Sequence, residues 1–270
     1  MKDSPMRVWC AAVAALICVG GLANRSTASG LDPVGEWQRE VAAIPMLGRW
    51  QEFAYSDVAV GAVAAKAYAA VLADLDRHHR LDDDPLFQAR ASRIASGIIA
   101  QAIVVKPEAV HWKWELHTTS GSSYDALSMA SGKILIGSAY AKRLGLSDGE
   151  LAALIAHEVA HIVAEHEREG LSEVFFLNPA SLPLDSATAL ARLDSTVGLQ
   201  IHFSELSKMQ EAEADQLGML LAHAAGWPFR TLVDFYSKLA ANERSSVYSW
   251  SHPSAASRLD MAHALQLLFE

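Results

Sequence analysis

Residues 147–163 read Ser-Asp-Gly-Glu-Leu-Ala-Ala-Leu-Ile-Ala-His-Glu-Val-Ala-His-Ile-Val. Ser147 followed three residues later by Glu150 is a capping box: the serine hydroxyl meets one free amide of the first turn, and the glutamate reaches back to another. A helix therefore starts there. Leu151, Leu154, Ile155, Val159, Ile162 and Val163 recur at spacings of three and four, so the helix buries one face. His157 and His161 stand one turn apart on it, and both imidazoles can offer a nitrogen to a single cation. Glu158 is placed beside such a cation instead of on it, where a carboxylate can take a proton from a metal-bound water. Two histidines on a solvated helix face would need no such glutamate.

A catalytic zinc takes three protein ligands and keeps a position for water. One pattern sets a third histidine six residues after the second, but Glu167 stands there, which excludes it. The other pattern takes a glutamate from a downstream helix, and Glu211-Ala212-Glu213-Ala214-Asp215 offers one. Glu211 is the candidate third ligand. Asp215, one turn further on, can hold a ligand imidazole by its other nitrogen. His166 lies five residues past His161, is turned off the ligand face, and is expected to make a structural hydrogen bond. His78, His79, His202, His223 and His263 read as surface or partner-satisfied residues, and the tryptophans as core and sheet packing.

Outward from this helix, the alanine-rich stretch from Asp57 to about Arg77 reads as a helix, and Asp84-Pro85 opens another with an N-cap and a proline in the first turn. Ile94, Ile98, Ile99 and Ile103 continue it at helical spacing. Residues 111–117 (HWKWELH) alternate polar and apolar and predict a half-buried strand, followed by a turn over Thr118–Ser123. Tyr124–Ala130 and Lys133–Ile136 predict two more strands around Ser131-Gly132. A helix from about Glu205 to Ala225 stops at Gly226, with Pro228 beyond. Residues 30–56 show no readable period. The expected fold is α+β and mainly helical, with a small sheet of three to four strands packed on the HEVAH helix.

Taken together, HEVAH followed by His166, the EAEAD segment, DALSMASGKILI ahead of the capped helix, and Ser251-His252-Pro253 followed by Arg258 resemble the zinc metallopeptidase family of the CAAX prenyl endopeptidases, HtpX and BepA-like proteases. The likeness runs over roughly residues 85–268. It implies a zincin-like domain that hydrolyses peptide bonds of cell-envelope proteins, with one Zn2+ per chain held by His157, His161 and Glu211, and Glu158 as general base. Asp215 would match the family's supporting aspartate, sometimes assigned as proton donor. His252 would match a histidine near the site that holds charge on the reacting carbonyl or gates the metal, with Arg258 in the same C-terminal feature. A closed site capped by His252 would instead make the chain a latent, chaperone-like binding factor. Asp125-Ala126 and Ser131-Gly132 depart from the family's strand motif, which usually begins Asn-Ala and carries a proline before the glycine.

The remaining bounds come from composition. Lys2 and Arg7, the apolar run Val8–Ala23 and the small residues Ser26-Thr27-Ala28 have the layout of a signal peptide over 1–28. That layout predicts export to the periplasm of a single domain over 29–270, with an N-terminal membrane anchor as the alternative and peripheral membrane association left open. Cys10 and Cys18 both lie in this leader, so the remaining chain has no disulfide, thiolate ligand or cysteine nucleophile. The net charge of −9 argues against a nucleic-acid partner and leaves protein or peptide substrates as the expected partners.

Overall fold

In the computed structural model, residues 40–177, 197–242 and 253–270 are described. The leader over 1–28 and His252 lie outside them. The described chain opens with an antiparallel hairpin, β1 (Glu40–Ala43) and β2 (Trp50–Phe53), in the segment that shows no sequence period. Helix α1 (Asp57–Arg77) follows, capped by Ser56 Oγ, which accepts from Ala59 N at 3.2 Å. Helix α2 (Pro85–Val105) starts as its sequence asks: Asp84 accepts from Phe87 N at 3.1 Å, and Pro85, which has no amide proton to satisfy, occupies the first turn. A 3-10 turn (Pro107–His111) leads to the strands β3 (Glu115–Thr119), β4 (Ala126–Met129) and β5 (Lys133–Gly137). Helices α3 (Ser138–Leu144), α4 (Asp148–Val163), α5 (His166–Leu177), α6 (Val197–Ala224), α7 (Phe229–Asn242) and α8 (Ala255–Phe269) complete the described elements.

The fold is α+β and mainly helical, and its sheet has three strands in the order β3-β5-β4. β5 is parallel to β3 and antiparallel to β4, which leaves β4 at an edge among the described residues. Every residue of β5 is buried because helices cover both faces of the sheet. Ile134 and Ile136 join the main core with α2 and α4, whereas Leu135 meets Leu127, Met129 and Tyr68 under α1. Helix α1 is long and apolar enough to span a bilayer by composition, but its inner face is spent on this sheet.

The strand expected over 111–117 begins only at Glu115 and runs on to Thr119. Pro107 starts the 3-10 turn, and Trp114 Nε1 donates to Ala109 O at 3.0 Å, so Trp112 and Trp114 pack half-buried against the core before the ladder starts. Alternation reported their burial correctly but not their backbone. The strand expected over Tyr124–Ala130 narrows to β4, and the helix expected from Glu205 starts at Val197.

The capping box is present: Glu150 N donates to Ser147 Oγ at 3.4 Å and Ser147 N to Glu150 Oε2 at 2.6 Å. From Gly149 to Val163 every residue of α4 is buried, so the polar ones must find partners inside the protein. α6 crosses α4 at Gly218, where a Cβ would stand 2.9 Å from His157 N and 3.0 Å from Ala156 O. Only a residue without a side chain permits that approach, and it brings residues 211–215 against the two histidines. α4 then stops at Val163, and Glu165 takes a φ of +52°, held by Lys106 Nζ at 2.7 Å and Arg168 Nη1 at 3.0 Å. The break folds His166 back beside His161.

Gly218→Ala tests the helix crossing. The substitution gains about 1 kcal/mol of helix propensity but overpacks a backbone contact, and it should lower stability by roughly 1–3 kcal/mol net in urea unfolding. A more stable variant would mean that α4 and α6 do not approach this closely.

Candidate metal centre

α4 and α6 bring together three donors from distant parts of the chain. His157, His161 and Glu211 each place one ligand atom within 4.8 Å of the others, and all three side chains are buried. The two Nε2 atoms face each other at 3.1 Å. Glu211 stands 3.5 Å from His157 Nε2 and 3.3 Å from His161 Nε2. Two imidazoles and one carboxylate are a donor set that suits a divalent zinc ion, and their convergence in the interior is what such an ion would offset electrostatically.

Each ring is held from behind by its other nitrogen. His157 Nδ1 lies 2.9 Å from Asp215 Oδ1. Asp215 in turn accepts from Arg258 Nε at 2.7 Å, Arg258 Nη2 at 2.6 Å and Tyr236 OH at 3.0 Å. Burial alone would push this carboxyl up, but the Arg258 charge and these bonds hold it below the usual carboxylate range. Burial also works against protonation of His157, and Glu211 and Asp215 outweigh it, raising its pKa.

On the other side, His161 Nδ1 lies 2.9 Å from His166 Nδ1, and His166 Nε2 faces Glu213 Oε2 at 3.3 Å. His166 thus makes the structural contact expected of it. Burial drives its pKa down to about 4, so the ring is neutral near pH 7. Glu213 is bound by Arg49 through Nε and, at 2.9 Å, through Nη2. Arg49 also holds Glu169 through both terminal nitrogens, at 2.6 and 2.9 Å, and Gln51 and Gln210 donate to the same Glu169 carboxylate.

Glu158 accepts from Ser128 Oγ at 2.6 Å, which ties it to the edge strand β4. One residue beyond that strand, Ala130 N donates to Glu167 Oε2 at 2.5 Å.

The sequence profile of peptidase family M48 matches residues 88–266. The chain belongs to peptidase family M48. The resemblance carried by HEVAH and EAEAD is thereby borne out. The chain is similar to the mitochondrial metalloendopeptidase OMA1 of Schizosaccharomyces pombe, 30% identical over 157 residues, which are 54% of this chain and 45% of that protein. It is similar to the beta-barrel assembly-enhancing protease of Yersinia pestis, 23% identical over 172 residues, 60% of this chain and 34% of the relative. The metalloprotease LoiP of Escherichia coli is 29% identical over 142 residues, 50% and 55% respectively. The chain spans less than half the length of the OMA1 relatives it matches.

Of the residues singled out in the sequence, the structure brings His157, His161, Glu211, Asp215, His166 and Arg258 into one buried cluster, Glu158 follows His157 on the same helix and meets Ser128, and His252 lies outside the described residues. Sequence reasoning missed Arg49, Ser128, Glu213 and Tyr236. Glu213 stands in EAEAD, but a helix turns it about 200° from Glu211, so the spacing alone gives no sign of a shared role. Arg49 had none.

Glu167 gives a pH test. Burial pushes its carboxyl up to about 7 against the lowering effect of the Ala130 amide. Between the ordinary value of 4.5 and that point, the folded protein keeps a proton the unfolded chain has released, so stability falls as pH rises through this window. Glu167→Gln removes the penalty. In urea unfolding with chelator present, the variant should be more stable by on the order of 2 kcal/mol at pH 8 and no different at pH 4. Equal stability at pH 8 would contradict the burial of this carboxyl.

Proposed function

We propose that this chain is a zinc-dependent endopeptidase in which His157, His161 and Glu211 hold one zinc ion and Glu158 is the general base. The observation that carries the reading is the buried convergence of those three donors with Glu158 beside them on the same helix. Membership of peptidase family M48 and similarity to proteins named as metalloendopeptidases support it. Zinc bound there supplies Lewis-acid polarisation of the scissile carbonyl and makes the attacking water more acidic.

The chain's own residues do the rest. The Glu158 carboxylate accepts a proton from the attacking water and returns it to the departing amine, so no covalent acyl intermediate forms. The Ser128 hydroxyl holds one oxygen of that carboxylate in place. Asp215 is assigned to positioning His157 and not to proton donation, because two bonds from Arg258 keep it ionised and its side chain is fully buried. A substrate binds extended, adding a strand along β4, which is an edge of the sheet among the described residues and carries Ser128, the partner of Glu158. Unfolded or misassembled proteins of the cell envelope are the proposed substrates. The name of the Yersinia pestis relative, a beta-barrel assembly-enhancing protease, supports that class.

Glu158→Gln tests the assignment. The variant should bind zinc with the same stoichiometry as the parent and lose cleavage of unfolded casein by a factor of about 100 or more. Undiminished cleavage would remove Glu158 from the chemistry, and a parent protein that binds no zinc would overturn the reading altogether.

A further inference from the structure

The two proposed histidine ligands are supported in parallel but by different parts of the chain. Behind His157 stand Asp215 and Arg258, both within the matched M48 region. Behind His161 stand His166, Glu213 and Arg49, and Arg49 belongs to the β1–β2 hairpin, ahead of residue 88 where that region begins. We propose that Arg49 is a positioning residue for the metal centre, acting through Glu213 and His166 on the His161 ring. The inference rests on the zinc reading above.

The proton assignment supports it. If His161 Nε2 is to offer a lone pair toward Glu211 and His157, its proton must sit on Nδ1, which then donates to His166 Nδ1. His166 must in turn carry its proton on Nε2, facing Glu213 Oε2. Glu213 Oε2, the oxygen that faces His166 Nε2 at 3.3 Å, also accepts from Arg49 Nη2 at 2.9 Å, and Arg49 Nε donates to the other oxygen of the same carboxylate. One guanidinium thus holds in place the carboxylate that His166 Nε2 faces, at the far end of the chain of contacts that starts at the ligand ring. Its second carboxylate, Glu169, anchors the guanidinium with help from Gln51 and Gln210, so the fork cannot swing away from Glu213.

The whole fold is not what Arg49 secures. Its hairpin contributes Ile44 to the main core, and Phe53 packs under the Arg168 guanidinium at 4.0 Å, so the hairpin has anchors of its own. Removal of Arg49 should therefore act chiefly on the ring behind which it stands.

The test is zinc affinity of the full chain, measured by competition with a chromophoric chelator, on the parent, Arg49→Ala, Arg49→Lys, Glu213→Gln and the Arg49→Ala/Glu213→Gln pair. Arg49→Ala and Glu213→Gln should each weaken zinc binding about 10- to 100-fold, the range typical for partners of metal-bound imidazoles. The double variant should be no weaker than the worse single one, because both cut the same chain. Arg49→Lys, which restores charge without the fork, should recover part of the loss. Long-range proton–nitrogen NMR of the metal-free protein should show His161 protonated at Nδ1 in the parent and a mixture of tautomers in Arg49→Ala. Should Arg49→Ala fail to fold, Glu213→Gln, which keeps the side-chain shape, decides. Zinc affinity within twofold of the parent in Glu213→Gln, or in a folded Arg49→Ala, overturns the proposal, whereas a parent that binds no zinc overturns the functional reading beneath it.

Discussion

His157 Nε2 and His161 Nε2 point at each other across 3.1 Å inside the protein, with the Glu211 carboxylate closing the third side. Each ring already has a partner on its other nitrogen, so the facing atoms are the ones left to act as lone-pair donors. Such a cluster is unfavourable by itself in a medium that solvates charge poorly, and a divalent cation among the donors reverses the sign of the interaction. The donor set is thus one that could hold a divalent cation, and zinc is the ion proposed for it.

Much of the surrounding architecture can be read as what that cluster needs. α4 is buried along nearly its whole length, which removes water from the donors but obliges every polar side chain on it to be satisfied internally. Glu150 is met by Lys238 and the Ser147 amide, Glu158 by Ser128, and the histidines by Asp215 and His166. The close crossing at Gly218 brings α6 near enough for Glu211 to reach the rings. The break at Glu165 then turns His166 back toward His161, which a continuous helix would have carried away.

Within EAEAD the three carboxylates diverge in role because the helix points them in different directions. Glu211 and Asp215, one turn apart, face α4: one reaches the rings at Nε2 and the other holds His157 at Nδ1. Glu213 faces the opposite side and would be a solvated surface acid in an isolated helix. Here the hairpin and α5 cover it, and it becomes a buried partner of Arg49 and His166. The hairpin is thus part of the centre's support, although it stands ahead of the matched M48 region.

Local sequence was sufficient for the parts that local physics controls. The Ser147 and Glu150 box, the three-and-four spacing of apolar residues, the one-turn separation of His157 from His161 and of Glu211 from Asp215, and the Asp84-Pro85 start each depend on neighbours within about one turn. Mainly helical architecture and the HEVAH and EAEAD segments could be read from these. Contacts between distant segments could not. Nothing near Arg49 announces a carboxylate more than a hundred residues away, and nothing near Ser128 announces Glu158. Alternation over 111–117 measured burial, which the tryptophans satisfy, but a strand also needs a ladder partner, and Lys133 meets the chain only from Glu115 onward. Helical periodicity told which way a side chain points along its own axis; what stands there to receive it was decided when the helices packed.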